Sequence, residues 1–202
     1  MKLDYYLAKR PLPGHKESEC GDIGLLREFE QKAFIGLADV LGHSKDAHGI
    51  AITIKHYLEK NYRKDLIEII QGLHAKIMHS RGAVIAVCLL SLKTGELKYI
   101  CVGNIVIRKI GSSSAHAVCR PGIVGYVLPT PKENIMQLYD GDILILHTDG
   151  IKSYFELGEC PDLLKDDAKN VATHILHQFG KEEDDAACIV LRYRGGLNRR
   201  DD

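Results

Sequence analysis

Ala83-Val84-Ile85-Ala86-Val87-Cys88-Leu89-Leu90-Ser91-Leu92, followed by Lys93-Thr94-Gly95-Glu96 and by the apolar run Leu97 to Ile110, is the stretch that decides the fold. Both arms are rich in Val and Ile, and a glycine sits in the four-residue connection. That combination predicts a long antiparallel hairpin over 83–92 and 97–110.

Upstream of the hairpin, Ser44 precedes apolar residues at helical spacing: Ala47, Ile50, Ala51, Ile54, Tyr57 and Leu58. This predicts a helix with a serine N-cap. Leu66, Ile70, Leu73 and Ile77 repeat the period in a second helix. Residues 22–26 and 32–38 read as a strand pair turned by the polar stretch 27–31, and Tyr5 to Ala8 as a short strand. Downstream, 111–132 is loop-rich in Ser, Pro and Gly, and 143–148 is a strand. A helix follows over 161–179, with Leu164, Ala168, Val171, Ile175 and Phe179 as its core face and Gly180 as its stop. A last strand covers 186–193. Antiparallel hairpins with grouped helices argue for an α+β fold, helices covering stacked sheets, rather than a doubly wound parallel sheet. The chain reads as one domain over residues 1–202, with a flexible tail at 195–202.

Charge narrows the function classes. The 27 basic residues balance 27 acidic ones, which removes the broad basic footprint of a nucleic-acid binder. No apolar stretch approaches the ~20 residues needed to span a bilayer, and no signal-peptide pattern opens the chain. The six cysteines form no C-x-x-C pair, and Cys88, Cys101 and Cys188 sit inside apolar runs. A disulfide framework or zinc site is therefore not expected, and a reducing cytoplasm fits best. Oligomeric state leaves no trace in the pattern.

Chemistry concentrates where strands run out into glycine-containing turns. Phe34 to Ala38 ends in Asp39, followed by Val40-Leu41-Gly42-His43; Ile143 to Thr148 ends in Asp149-Gly150; Asp184-Asp185 leads into the final strand. Carboxylates from three strand ends can converge at one sheet edge, and hard divalent cations take such all-oxygen sites. Asp39, Asp149 and Asp184 together would repel one another unless cations bind. Two divalent ions about 3.5–4 Å apart would relieve that repulsion and acidify a bridging water for attack on a phosphate ester. Strand-end aspartates are also ordinary turn formers, and Asp142, within Asp140-Gly141-Asp142, is read that way. The histidines form no H-x-x-x-H or H-E-x-x-H motif. His43 alone falls near the site, as a phosphate contact or acid. No P-loop lysine motif is present.

Six segments in order resemble the metal-dependent protein serine/threonine phosphatases (PPM family). They are Cys20-Gly21-Asp22, Gly36 to His43, Ser80-Arg81-Gly82-Ala83, Val102-Gly103-Asn104, Gly141 to Gly150 and Asp184-Asp185. The resemblance covers about residues 20–192 and is closer to the bacterial branch containing SpoIIE and RsbU. It implies a four-layer αββα sandwich of two antiparallel sheets flanked by helices, with two Mn(II) or Mg(II) ions at one edge. Asp39 matches the bridging aspartate, Asp149 and Asp184 further metal ligands, and Asp22 an upstream acidic ligand to the second ion. Val40 stands where the family has a glycine supplying a carbonyl ligand; a backbone oxygen does not require glycine unless φ must be positive. Gly21 stands where many relatives carry an acid. Asp184 is preferred to Asp185 as the ligand. Arg10 is the only N-terminal candidate for the arginine that grips phosphate in many eukaryotic members.

The resemblance further implies a cytoplasmic phosphatase without a sensor domain or flap subdomain. Its partners would be phosphorylated STAS-domain proteins of a stressosome, hydrolysed by a metal-bridging hydroxide. Docking would then rest on a rim of His43, Ser44 and the 111–131 loop. The alternative is a pseudophosphatase that binds a phosphorylated partner without hydrolysis, and a purely structural sandwich is the remaining reading.

Overall fold

The computed structural model describes residues 3–153, 155 and 165–195. Among the described residues ten strands form two antiparallel sheets. The first comprises β2 (Asp22–Phe29), β3 (Lys32–Val40), β4 (Ala83–Ser91), β5 (Glu96–Val102) and β8 (Asn134–Gln137), in that spatial order. The second runs β1 (Asp4–Arg10), β10 (Ala186–Arg192), β9 (Ile143–His147), β6 (Val106–Ile110) and β7 (Ala115–His116). Helices α1 (Lys45–Asn61) and α2 (Leu66–Lys76) cover the first sheet, and α3 (Ala168–Phe179) covers the second.

Three apolar layers hold the four structural layers together. Ile35, Leu37, Ala86 and Cys88 of the first sheet meet Leu144, Leu146, Ile189 and Leu191 of the second to form the inter-sheet core. The outer faces pack on the helices. Phe34 and Ile85 lie beneath Ile54, Leu58, Ile70 and Leu73, while Ile145 and Val190 lie beneath Val171 and Ile175. With both faces covered, the central strands are buried along most of their length, so their sequences run largely apolar instead of alternating. The αββα architecture expected from the resemblance is the one observed.

Several boundaries differ from the sequence reading, each for a local reason. The expected strand 97–110 breaks at Gly103-Asn104-Ile105, and its second half crosses to the other sheet as β6. The turn between β2 and β3 is only Glu30-Gln31, both at positive φ. Arg27 and Glu28 continue the strand, paired with Phe34 and Ala33. In the loop-rich middle, β7 adds an edge to one sheet, and β8, just beyond it, adds an edge to the other. The third helix begins at Ala168, where the Asp167 carboxylate accepts from the Asn170 amide (2.8 Å) and caps it. Gly180 ends it in extended backbone. The expected helical residues 161–164, Leu164 among them, lie outside the described residues. Ser44 caps α1 as expected, accepting from Ala47 at 3.2 Å. At the C-terminus the Gly195 amide bonds Asp140 (2.8 Å), which ties down the first residue of the expected tail; 196–202 lie outside the described residues. Cys101 and Cys119 form a disulfide, contrary to the expectation of free thiols, because Cys119 runs beside the end of β5. Cys20, Cys88 and Cys188 are free and buried.

Candidate metal centre

The chain ends of four strands meet at one edge of the sandwich. Asp22 opens β2 and Asp39 nearly closes β3, and the two are direct register partners. On the facing sheet, β9 leads into Thr148-Asp149, and Asp184-Asp185 leads into β10; these two strands are also paired. The Thr148 amide donates to Ala187 O (3.0 Å), and the Ala187 amide donates back to Thr148 Oγ1 (3.0 Å). Thr148 Oγ1 in turn donates to Asp22 Oδ2 at 2.7 Å. That bond sews the two sheets together at the acidic end.

Close backbone approach is built in at two glycines. A Cβ on Gly150 would fall onto the Asp185 carbonyl oxygen, so only glycine lets the Asp149 turn pack against the β10 entry. Gly42 adopts φ +93°, the left-handed turn that follows Asp39-Val40. Val40 itself is not in that region; among the described residues the non-glycines with positive φ are Glu30, Gln31 and His79. Its carbonyl faces Gly21, where a Cβ would stand 2.8 Å from it. Glycine at position 21 therefore leaves the space in front of that oxygen open.

The electrostatics are those of a self-repelling acidic cluster. Asp22 is buried, and its Oδ1 has no hydrogen-bond partner. Burial first, then the Asp39 charge, holds its carboxyl well above the usual carboxylate range. Burial, and then the Asp149 charge, pushes Asp39 up to about 8. Asp184 is raised by burial and by Asp149. A divalent cation would offset this repulsion and engage the orphaned Asp22 oxygen, and all the donors are oxygen, so the residues fit hard cations. Among the described residues no three His, Cys, Asp or Glu side chains are grouped to hold an ion by themselves. Backbone oxygen and water must complete any shell, as hard cations readily allow.

The structure thus brings Asp22, Asp39, Val40, Asp149 and Asp184 to one edge. Asp185 is used differently: its oxygens accept from the Leu12 amide (2.6 Å) and the Gly21 amide (2.8 Å), fixing the chain on both sides of β2's entry. His43 lies between the two acids, Nε2 3.4 Å from Asp184 Oδ1 and Nδ1 3.3 Å from Asp185 Oδ2. Arg10 donates to the carbonyls of Pro11, Lys181 and Asp184, so it braces the acidic loop instead of facing a ligand. Asp142 is a turn residue as expected, accepting from Ser112 and Tyr139.

Two residues went without a role in the sequence reading. Asn104 Nδ2 donates to Asp149 Oδ2 (2.8 Å), and Thr148 orients Asp22. Both stood inside segments that resemble the family, but neither position's side-chain partner gave a local signal.

The fold and the acidic edge define a PP2C-like phosphatase domain. The stage II sporulation protein E (SpoIIE) family model matches residues 30–194, and the chain belongs to that family of PP2C-type serine/threonine phosphatases. A structure solved in work on the bacterial stressosome, described as a modular system adapted to control secondary messenger signalling, is 27% identical. It superposes with a TM-score of 0.87 over 95% of this chain and 100% of its own. RsbX in complex with magnesium has a TM-score of 0.80 at 19% identity, over 94% and 95% of the two chains. The PP2C domain of SpoIIE from Bacillus subtilis, with a fragment of its regulatory domain, has a TM-score of 0.75 at 17% identity, over 97% and 65%. No curated protein sequence matches the chain.

Proposed function

We propose that this protein is a Mn(II)- or Mg(II)-dependent phosphoserine/phosphothreonine protein phosphatase of the RsbX kind, a single cytoplasmic catalytic domain acting on phosphorylated STAS-domain proteins of a stressosome. One observation carries the reading: carboxylates from four strand ends converge at one edge, with a buried Asp22 oxygen unpartnered and Asp39 raised by burial and by the neighbouring Asp149 charge. A structural sandwich gains nothing from such a repelling cluster. Likeness to a stressosome structure and to RsbX supports the choice of partner.

Asp22, Asp39, Asp149 and Asp184, with the Val40 carbonyl, would hold two ions, which supply Lewis acidity toward phosphoryl oxygens and acidify a water. Thr148 and Asn104 hold Asp22 and Asp149 in place. His43, between Asp184 and Asp185, is positioned at the rim to meet a leaving-group oxygen or the phosphate. The absence of a three-side-chain cluster among the described residues favours, as the second reading, a pseudophosphatase that binds without hydrolysis.

Phosphate release from a phosphoserine-bearing STAS-domain protein, measured with Mn(II), with EDTA and with Asp149→Asn, separates the two. Turnover that requires both metal and Asp149 supports the enzyme; tight binding without turnover supports the pseudophosphatase.

A further inference from the structure

The rim on one side of the acidic edge combines exposed apolar side chains with a cation that, among the described residues, has no ion pair. Val40, Ala83 and Val124 lie side by side: Val40 pairs with Ala83 in β3–β4, and Ala83 exchanges two 2.9 Å backbone bonds with Val124. Residues 123–127 then fold into a tight turn closed by reciprocal 2.9 Å bonds between Ile123 and Val127. The Gly125 amide anchors that turn to His74 Nδ1 at 2.9 Å. On the near side, the Leu41 amide bonds Gly82 O (3.2 Å). The turn therefore stands about 10 Å, two strand spacings, from the Val40 backbone.

Its side chains face water. Tyr126 is 74% exposed, Val127 59% and Leu41 42%. Arg81, two residues before Ala83 in the chain, is exposed and, among the described residues, without a hydrogen bond or ion pair. One of its guanidinium nitrogens lies 2.8 Å from where a Cβ on Gly42 would stand, so it overhangs the loop that carries Val40. An exposed tyrosine flanked by aliphatic residues, on a turn that needs no ordering, has the character of an interface anchor. The guanidinium that overhangs the Gly42 loop suits a phosphoryl or acidic group. A small phosphate ester bound at the carboxylates cannot span to Tyr126. Only a macromolecular partner can occupy the cleft and the turn together.

Resting on the phosphatase reading of the cleft, we propose that Leu41, Arg81, Tyr126 and Val127 form the docking surface for a folded phosphoprotein, whose phosphorylated segment passes Arg81 on its way to the carboxylates. The surface selects the partner and leaves the chemistry to the cleft.

Two readouts test this. Binding of a phosphorylated STAS-domain protein is titrated calorimetrically against Asp149→Asn, with and without Tyr126→Ser/Val127→Ser. Turnover of p-nitrophenyl phosphate with Mn(II) is measured for the wild type and the same double substitution. The expected result is at least ~10-fold weaker binding, with p-nitrophenyl phosphate turnover unchanged; Arg81→Gln should erase the preference for the phosphorylated over the unphosphorylated partner. Affinity within twofold of the parent, or no binding by the parent itself, overturns the docking surface. Wild-type silence toward p-nitrophenyl phosphate would count against the phosphatase reading alone, since the binding comparison needs no turnover. Both serine substitutions are at exposed positions, so an unchanged melting temperature verifies that the fold is intact.

Discussion

Asp22 and Asp39 face each other as register partners across β2 and β3. Directly opposed residues in an antiparallel pair have Cβ atoms about 4.5–5.5 Å apart, and like charges there destabilise. Burial of both carboxyls adds to the cost. The protein therefore carries an electrostatic debt at this edge that protons or cations must relieve.

The pH dependence of the metal-free protein follows from that pair. An unfolded aspartate titrates near 3.8, whereas Asp39 titrates at about 8 when folded. Between those values the folded chain binds more protons than the unfolded one, so stability falls as pH rises, by up to about 1.4 kcal/mol per pH unit for each such group. His147 has the opposite slope in a lower window: burial lowers it from 6.5 to about 4, and its contribution is lost as pH falls through that range. Scans between pH 7 and 9 isolate the carboxylates. The melting temperature of EDTA-treated protein should drop across this interval, and millimolar Mn(II) should flatten the slope.

Neutralising the pair should separate stability from function. Asp39→Asn removes one repelling charge, and the metal-free protein at pH 9 should melt ~2–4 °C higher, a gain of about 1 kcal/mol. Turnover should fall by more than ~100-fold, the upper end for losing a group that merely supports a ligand. Asp149→Asn should lose turnover to a similar extent. Thermal melts beside phosphate-release assays check both directions; near-normal activity in either variant would rule out the metal assignment.

Thr148→Val keeps the side-chain shape but deletes the hydroxyl that joins the sheets. The Ala187 amide and Asp22 Oδ2 both lose a buried partner. Each orphaned group costs about 1–3 kcal/mol, so urea denaturation should show a clear loss. Mn(II) affinity should fall by ~10–100-fold as Asp22 loses its orientation.

Asn104→Ala makes a contrasting case. Asn104 is exposed, and its 2.8 Å bond reaches only Asp149. Stability should stay within about 0.5 kcal/mol of the parent. Metal affinity or turnover should drop ~10-fold. Equal losses in stability and activity would reassign Asn104 to the fold.

Much of this was legible from local pattern. Helices α1 and α2 announced themselves through 3.6-residue periodicity and α1's serine cap, and Asp39 and Asp149 stood out because apolar runs ended in acid and glycine. The crossover at Gly103-Asn104-Ile105 was hidden, because strands buried on both faces are apolar on both sides of a break. Arg10 offered itself as a phosphate ligand by position, yet its donors are consumed by carbonyls 171 and 174 residues away. Cys101 and Cys119 gave no spacing signal, and their pairing depends on a loop returning beside β5.

The sequence by itself determined the elements, the layered class and the acids at strand ends, because periodicity and turn chemistry act over a few residues. Only the tertiary structure decided which acid does what. Asp185 is held by amides from residues 12 and 21, Asp22 is joined to a threonine 126 residues away, and Asp39 is set close enough to Asp149 for that charge to raise it. Those relations are set by the stacking of two sheets, whose packing brings distant strand ends within hydrogen-bonding reach.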